Sequence, residues 1–501
     1  MSLPGVAIFV DAPDAVLART RWALDTMLAP LGRTASVTRD PAQASGAALA
    51  YAPEPIAGVP TIPCSAAALD LFAADRALPS RAFVAHDGVG GSAVAAFPAD
   101  PGAGFAVPFD LVASAFVLLT CWDEHACRER DRFGRLPYSA SVFAANPALR
   151  IERPAVDTYV EILRSVLVPR LVELAAAPLP EAGWMWGDGG LGPGSSGARF
   201  AVALTHDVDN LWRWTPAGLR GAARAVARAL RHGHAGAAVH EVRDVVDWLV
   251  IHLPRGTDPY WTFLSILEGE DARRLSSTFY VIARHTAAVD GGQPETYARR
   301  IPDVLELLAR GRREVGLHGN DADRLGAQPV AQDRADLALR AGQEVGGMRY
   351  HYLRCLYHET LTFLEQAGFA HDSSLAFAEH EGFRCGTSFP FHPYSLDQER
   401  PLQLIELPLA LMDTTLQGAR YRALEAPQAE AASQDVLDRA RSAGGGIAML
   451  WHNVRFDRRA AAGYDDVYWR LVDRAKADGA FVGSAGELVR RWQAATAGAA
   501  A

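Results

Sequence analysis

Cysteine is scarce in this chain of 501 residues. The five cysteines are Cys64, Cys121, Cys127, Cys355 and Cys385, an odd number with no CxxC spacing. That argues against a disulfide framework and against a zinc knuckle. They read as reduced thiols, and none is expected to serve catalysis. Long apolar runs are missing as well: no uninterrupted stretch of about 18 apolar residues occurs, so no membrane span is expected. The opening MSLPGVAIFVD carries an apolar run too short for a secretory leader, with no basic residue before it, and a cytoplasmic protein is the expectation. Positive charge is not in excess. Lys plus Arg number 49 against 58 Asp plus Glu, a net charge of −9, and the basic residues are scattered apart from the stretch Arg220 to Arg231. A nucleic-acid partner is therefore not expected.

The length exceeds what one hydrophobic core usually supports, so two domains are expected. In the first, 5–10 (GVAIFV) and 47–51 (AALAY) read as strands and Asp14 to Leu31 as a helix, a βαβ-like opening without a glycine fingerprint. The stretch Phe109 to Trp122 is strongly apolar, and Asp123, Glu124 and His125 after it read as a solvated helix end. Another helix is expected over Ala155 to Ala177. Residues 188–198 (DGGLGPGSSGA) form a glycine- and serine-rich linker. The boundaries are thus 1–190 for a smaller α/β domain of unknown role and 196–501 for the second domain, which is expected to fold by itself. After the linker, short apolar runs at 200–205, 278–283, 314–318, 345–353, 404–411, 446–451 and 481–484 alternate with helical segments. That alternation predicts α/β architecture with a (β/α) barrel, and a helical insertion at about 212–253.

In such barrels the reactive groups stand at the carboxyl ends of strands. Four apolar runs end abruptly in polar residues. FAVAL runs into Thr205-His206-Asp207-Val208-Asp209, where alternation puts Asp207 and Asp209 on one side, and two such carboxylates call for a cation or a shared proton. EVGL ends in His318. The next run carries Arg349 and His351 two residues apart, and an Arg aimed at a carboxylate keeps it ionised. GIAML delivers Trp451-His452-Asn453, while Asp372 is a carboxylate that could orient an imidazole.

The order of these elements resembles the polysaccharide deacetylases, the NodB-like group of carbohydrate esterase family 4. The strings THDVD, GLHGND, GMRYHYLR, HDSSL and LWHN fill that family's motif slots in sequence across roughly 250 residues. A bacterial subfamily in which an uncharacterised α/β domain precedes the deacetylase half is closer still. Its strings are similar to Arg349–Arg354 (RYHYLR) and Asp372–Pro390, and the likeness extends to Phe109–Tyr138.

The resemblance implies a distorted NodB-like barrel and a hydrolase of carbon–nitrogen bonds other than peptide bonds, removing N-acetyl groups from a carbohydrate. If the protein stays inside the cell, the substrate is expected to be a precursor or nucleotide-linked sugar of bacterial glycan biosynthesis. It implies Asp207 as base, braced by Arg349, and His452 as acid with Asp372 behind it. It also implies a divalent metal on Asp209 and His318. Zinc suits the ligand type, while cobalt, iron and manganese stay open. Two departures stand out: Ala322 occupies the slot of the family's second ligand histidine, four residues after His318, and His351 replaces the proline of R-x-P-Y. The third ligand is expected to be His351, or else His351 is a substrate contact, with Asp321 as the alternative. Hydrolysis of another small-molecule amide, or a metal-free carbohydrate-binding module, are the competing readings.

Overall fold

A computed structural model describes residues 3–88, 91–187, 197–213, 216–231, 242, 258–291, 294–457 and 463–497. The first domain opens with four parallel strands, β1 (Gly5–Val10), β2 (Thr34–Thr38), β3 (Leu49–Ala52) and β4 (Thr61–Pro63), in the order β2-β1-β3-β4. The helix Asp14–Leu28 makes the crossover from β1 to β2 and buries Trp22, Leu24, Met27 and Leu28. A hairpin of β5 (Val84–Gly88) and β6 (Gly91–Ala95) follows. The apolar stretch after Phe109 has no polar stripe, and it forms the helix Leu111–Leu119, buried at every position.

The second domain is a parallel barrel. Its strands are β7 (Phe200–Val208), β8 (Thr278–Val281), β9 (Glu314–Gly319), β10 (Gly347–Tyr350) and β11 (His371–Asp372). After the small ladder of β12 (Tyr394–Ser395) and β13 (Arg400–Pro401) come β14 (Ile405–Glu406), β15 (Leu409–Met412), β16 (Gly446–Leu450) and β17 (Ala480–Gly483). The order is β14-β11-β10-β9-β8-β7-β16-β15, with β17 beside the start of β7. β14 and β15 lie at opposite ends of that order, yet only Leu407 and Pro408 separate them. Leu407 N donates to the Asp372 carbonyl at 2.9 Å, and Ala448 N donates to the Pro408 carbonyl at 2.8 Å, so one stretch of chain touches both edges and closes the barrel. Every residue of β7, β8, β10, β15 and β16 is buried, as expected where helices cover a parallel sheet.

The expected fold class, a distorted (β/α) barrel preceded by a smaller α/β domain, is the one observed. Of the expected insertion at 212–253, the helix Pro216–Arg231 is present, and nearly all of the remainder lies outside the described residues, as do 188–196 of the linker. No helix among the described residues is long and apolar enough to cross a membrane.

One expectation needs correction. The Asp123–His125 cluster is not a solvated helix end: Glu124 is buried and pairs with the buried Arg384 of the barrel, and Asp123 accepts from Val142 N at 2.8 Å. The two halves also pack together, and one apolar cluster runs through both. Asp157 in the helix Ala155–Glu173 accepts from Thr387 Oγ1 at 2.7 Å and from Ser388 N, and Trp22 Nε1 donates to the His392 carbonyl at 2.9 Å. These buried polar groups find their partners across the boundary, so separating the halves would break these bonds and expose the shared apolar surface to water.

Candidate metal and catalytic site

The carboxyl ends of β7, β9, β10 and β16 converge, and the polar residues that end those runs meet there. Alternation along β7 separates the His206 side chain from those of Thr205 and Asp207. His206 sits in the packing between Trp451, Glu270 and Phe279. Thr205 and Asp207 both receive Arg349 Nη1 at 2.9 Å. Arg349 is fully buried; its Nε donates to the Ser373 carbonyl at 2.8 Å and its Nη2 to Ser373 Oγ at 3.1 Å. Its guanidinium is thereby fixed on four acceptors, which aims one arm at Asp207.

Asp209, one residue past the strand, is the meeting point of three imidazoles. Its Oδ1 lies 3.0 Å from His318 Nε2 and 3.6 Å from His351 Nε2, and its Oδ2 lies 3.5 Å from His452 Nε2. Burial opposes its charge, but His351, His318 and His452 together hold its carboxyl well below the usual carboxylate range. Burial likewise works against a charged His318, yet Asp207 and Asp209 raise it above the ordinary imidazole value.

This donor set fits a metal ion. Asp209, His318 and His351 offer one ligand atom each, all within 4.8 Å of one another. Ligands at about 2.1 Å around a tetrahedral ion stand roughly 3.4 Å apart, close to the spacings just given. His318 Nδ1 is 2.9 Å from the Arg349 carbonyl, which can only accept, so the ring carries a proton there, and Nε2 is the nitrogen that would face a metal once its own proton is displaced. Two imidazoles and one carboxylate suit zinc, iron and their neighbours. Asp321, the alternative third ligand, is occupied elsewhere: Arg324 Nε at 3.0 Å and Arg354 Nη2 at 2.5 Å hold one of its oxygens. Ala322 is partly exposed and contributes only backbone groups, its N–H to Thr286 and Asn320 and its carbonyl to Leu325 N.

Asp372 does not stand behind His452. It is fully buried on β11, where its carboxylate accepts from Ser374 N and Ser374 Oγ, both at 2.8 Å, and burial pushes it up to about 6. The residue behind His452 is Asp413, at the end of β15. Its Oδ1 lies 2.6 Å from His452 Nδ1 and its Oδ2 accepts from His452 N at 2.9 Å. Burial disfavours a charged His452, but Asp413 outweighs it and raises the imidazole to about 9. Asp413 ends the buried run LALM in the same way that the other site residues end theirs, and that sign was there to be read. Motif order follows the chain and points to Asp372 instead. β15 and β16 are neighbours in the barrel, whereas β11 lies across it.

Residues 8–171 match the model of a family of unknown function (DUF7033). No curated protein matches the chain. Among solved structures, the chain is similar to a protein named as a polysaccharide deacetylase from Mycobacterium smegmatis, at 18% identity over 63% of this chain and 94% of that one, with a TM-score of 0.40. An allantoinase (PuuE) shares 13% identity over 64% of this chain and 98% of that one, with a TM-score of 0.39. A chitin deacetylase from the fungal pathogen Colletotrichum lindemuthianum shares 13% identity over 58% and 87%, with a TM-score of 0.30.

Proposed function

We propose that this protein is a metal-dependent hydrolase of carbon–nitrogen bonds that removes N-acetyl groups from a carbohydrate or glycan precursor. The observation that carries the reading is the convergence of Asp209, His318 and His351 on one point, between an arginine-braced carboxylate and an aspartate-braced imidazole. The order of the motifs along the chain supports the acetamide as the bond concerned. Asp209, His318 and His351 would hold a divalent ion, zinc or iron by donor type, which when bound would supply Lewis-acid polarisation and a more acidic water.

The chain's own groups do the proton work. Arg349 engages Asp207 through Oδ1 and leaves Oδ2 to accept a proton from the attacking water. His452, protonated at neutral pH because Asp413 sits on its Nδ1, turns Nε2 toward the site and donates to the departing amine nitrogen. Asp207 and His452 are each held by a buried partner, Arg349 and Asp413, rather than by solvent. The test is elemental analysis of the purified protein together with acetate release from N-acetylated sugars and nucleotide sugars. Bound metal with metal-dependent release is the expected outcome. Protein that takes up no divalent ion and releases no acetate refutes the reading.

A further inference from the structure

The two histidines of the metal set are held differently. His318 is oriented by the Arg349 carbonyl on its Nδ1, but His351 Nδ1 is buried without a hydrogen-bond partner among the described residues. A ligating imidazole ordinarily has its other nitrogen tied to a carbonyl or carboxylate, which fixes the ring. What touches His351 instead is a column of flat groups. Tyr352 stacks on it with ring centroids 3.9 Å apart and planes 23° apart, and Phe133 stacks on Tyr352 at 4.6 Å and 17°. Beyond Phe133, the guanidinium carbons of Arg132 and Arg135 lie 4.5 and 4.9 Å from its ring centroid. His351 and Tyr352 belong to the barrel. Phe133, Arg132 and Arg135 belong to the first domain, within the segment that matches the family of unknown function.

The turn bearing Tyr352 needs outside support. Tyr352 (φ 58) and Leu353 (φ 55) are successive non-glycine residues in the left-handed region, a conformation that persists only where the surroundings impose it. The first domain imposes it: Arg135 Nη1 donates to the Tyr352 carbonyl at 2.7 Å, and Arg354 Nε donates to the Phe133 carbonyl at 3.1 Å. Asp131 in turn makes this support rigid. Its Oδ2 accepts from Arg135 Nε at 2.9 Å and Nη2 at 2.6 Å, and its Oδ1 accepts from Phe133 N and Arg135 N. The far side of the column is close too, since a side chain at Gly291 would stand 3.3 Å from Tyr352 Oη.

We propose that the turn Asp131–Arg135 of the first domain is a working part of the metal site, with Phe133 and Arg135 as positioning residues that fix the His351 ring through Tyr352. The stacked column replaces the missing hydrogen bond on Nδ1. The proposal rests on the reading of Asp209, His318 and His351 as a metal site, and it gives the first domain a role in that site, since the barrel's third ligand is loose without it.

The test titrates zinc ion into the full-length, metal-stripped protein against a chromophoric chelator, for the parent, Phe133→Leu, Phe133→Tyr, Arg135→Lys and His351→Ala. Phe133→Leu keeps apolar bulk but loses the stack and is expected to weaken zinc about tenfold. Phe133→Tyr keeps the stack and should retain the parent affinity, which a merely structural apolar contact would not require. Arg135→Lys cannot reach both Asp131 and the Tyr352 carbonyl with a fixed fork, and should weaken zinc severalfold. Parent affinity in both Phe133→Leu and Arg135→Lys overturns the proposal while leaving the metal site standing. A parent that binds no zinc, or a His351→Ala variant that binds it undiminished, sinks the metal-site reading itself.

Discussion

Asp413 is the group whose removal is most informative, because its effect on His452 can be read without a substrate. Its carboxylate is fully buried and makes two contacts with His452, to Nδ1 at 2.6 Å and to the backbone N–H at 2.9 Å. Raising an imidazole from 6.5 to about 9 corresponds to about 3 kcal/mol of preference for the charged form. The sign is that of a histidine gaining a carboxylate: the charged acid is populated at low pH and is lost as pH rises through about 9. Asp413→Asn keeps the shape and removes the charge, so the loss should move down toward 6.5, with only Asp209 and Asp207 left to oppose burial. At pH 7.5 the protonated fraction would drop from nearly all to about a tenth, and turnover by at least about tenfold, with further loss from the altered tautomer. The assay is a pH titration of His452 by NMR in metal-free protein with labelled histidine, parent against Asp413→Asn. A His452 that titrates at the same pH in both would show that Asp413 does not set its protonation, and the acid assigned here would lose its physical basis.

Other outcomes follow from the same geometry. Asp207→Asn and His452→Ala should each lower turnover by about two to four powers of ten with metal content retained, and wild-type rates in either would remove that residue from the mechanism. Metal content should fall in Asp209→Ala and His351→Ala and persist in Asp321→Ala, whose carboxylate is taken by Arg324 and Arg354; the reverse pattern would transfer the third ligand to Asp321. A fragment of residues 197–501 should aggregate, and Glu124→Ala in the full chain should cost about 3–5 kcal/mol by leaving Arg384 buried without its partner. A soluble, cooperatively melting fragment would contradict the shared core. Replacing Cys355 or Cys385 by serine should leave turnover intact, since their thiols face Thr360 and Cys121 and not the metal site.

Taken by itself, the sequence determined the longer buried strands of the barrel and roughly where they stop, but not the short β11 or the division of 404–411 into β14 and β15. Buried parallel strands demand unbroken apolar runs, and a reactive group at a strand end must interrupt such a run, so both leave a local mark. Asp207, Asp209, His318, Arg349, His351 and His452 were legible on that account, and so was a barrel behind a smaller α/β domain. What stayed hidden was pairing between distant segments. Asp413 follows the apolar run LALM and Asp372 ends the short strand β11, and only the closure of the barrel by the segment from β14 to β15 puts Asp413 beside His452 while Asp372 stays with Ser374. The charged cluster at Glu124 looked like a surface because its counter-ion, Arg384, is 260 residues away. The hold of Phe133 on Tyr352 joins two domains in the same way. Local pattern is written in neighbours along the chain, whereas which buried charge meets which, and which ring lies on which, is decided only when the two domains share one core.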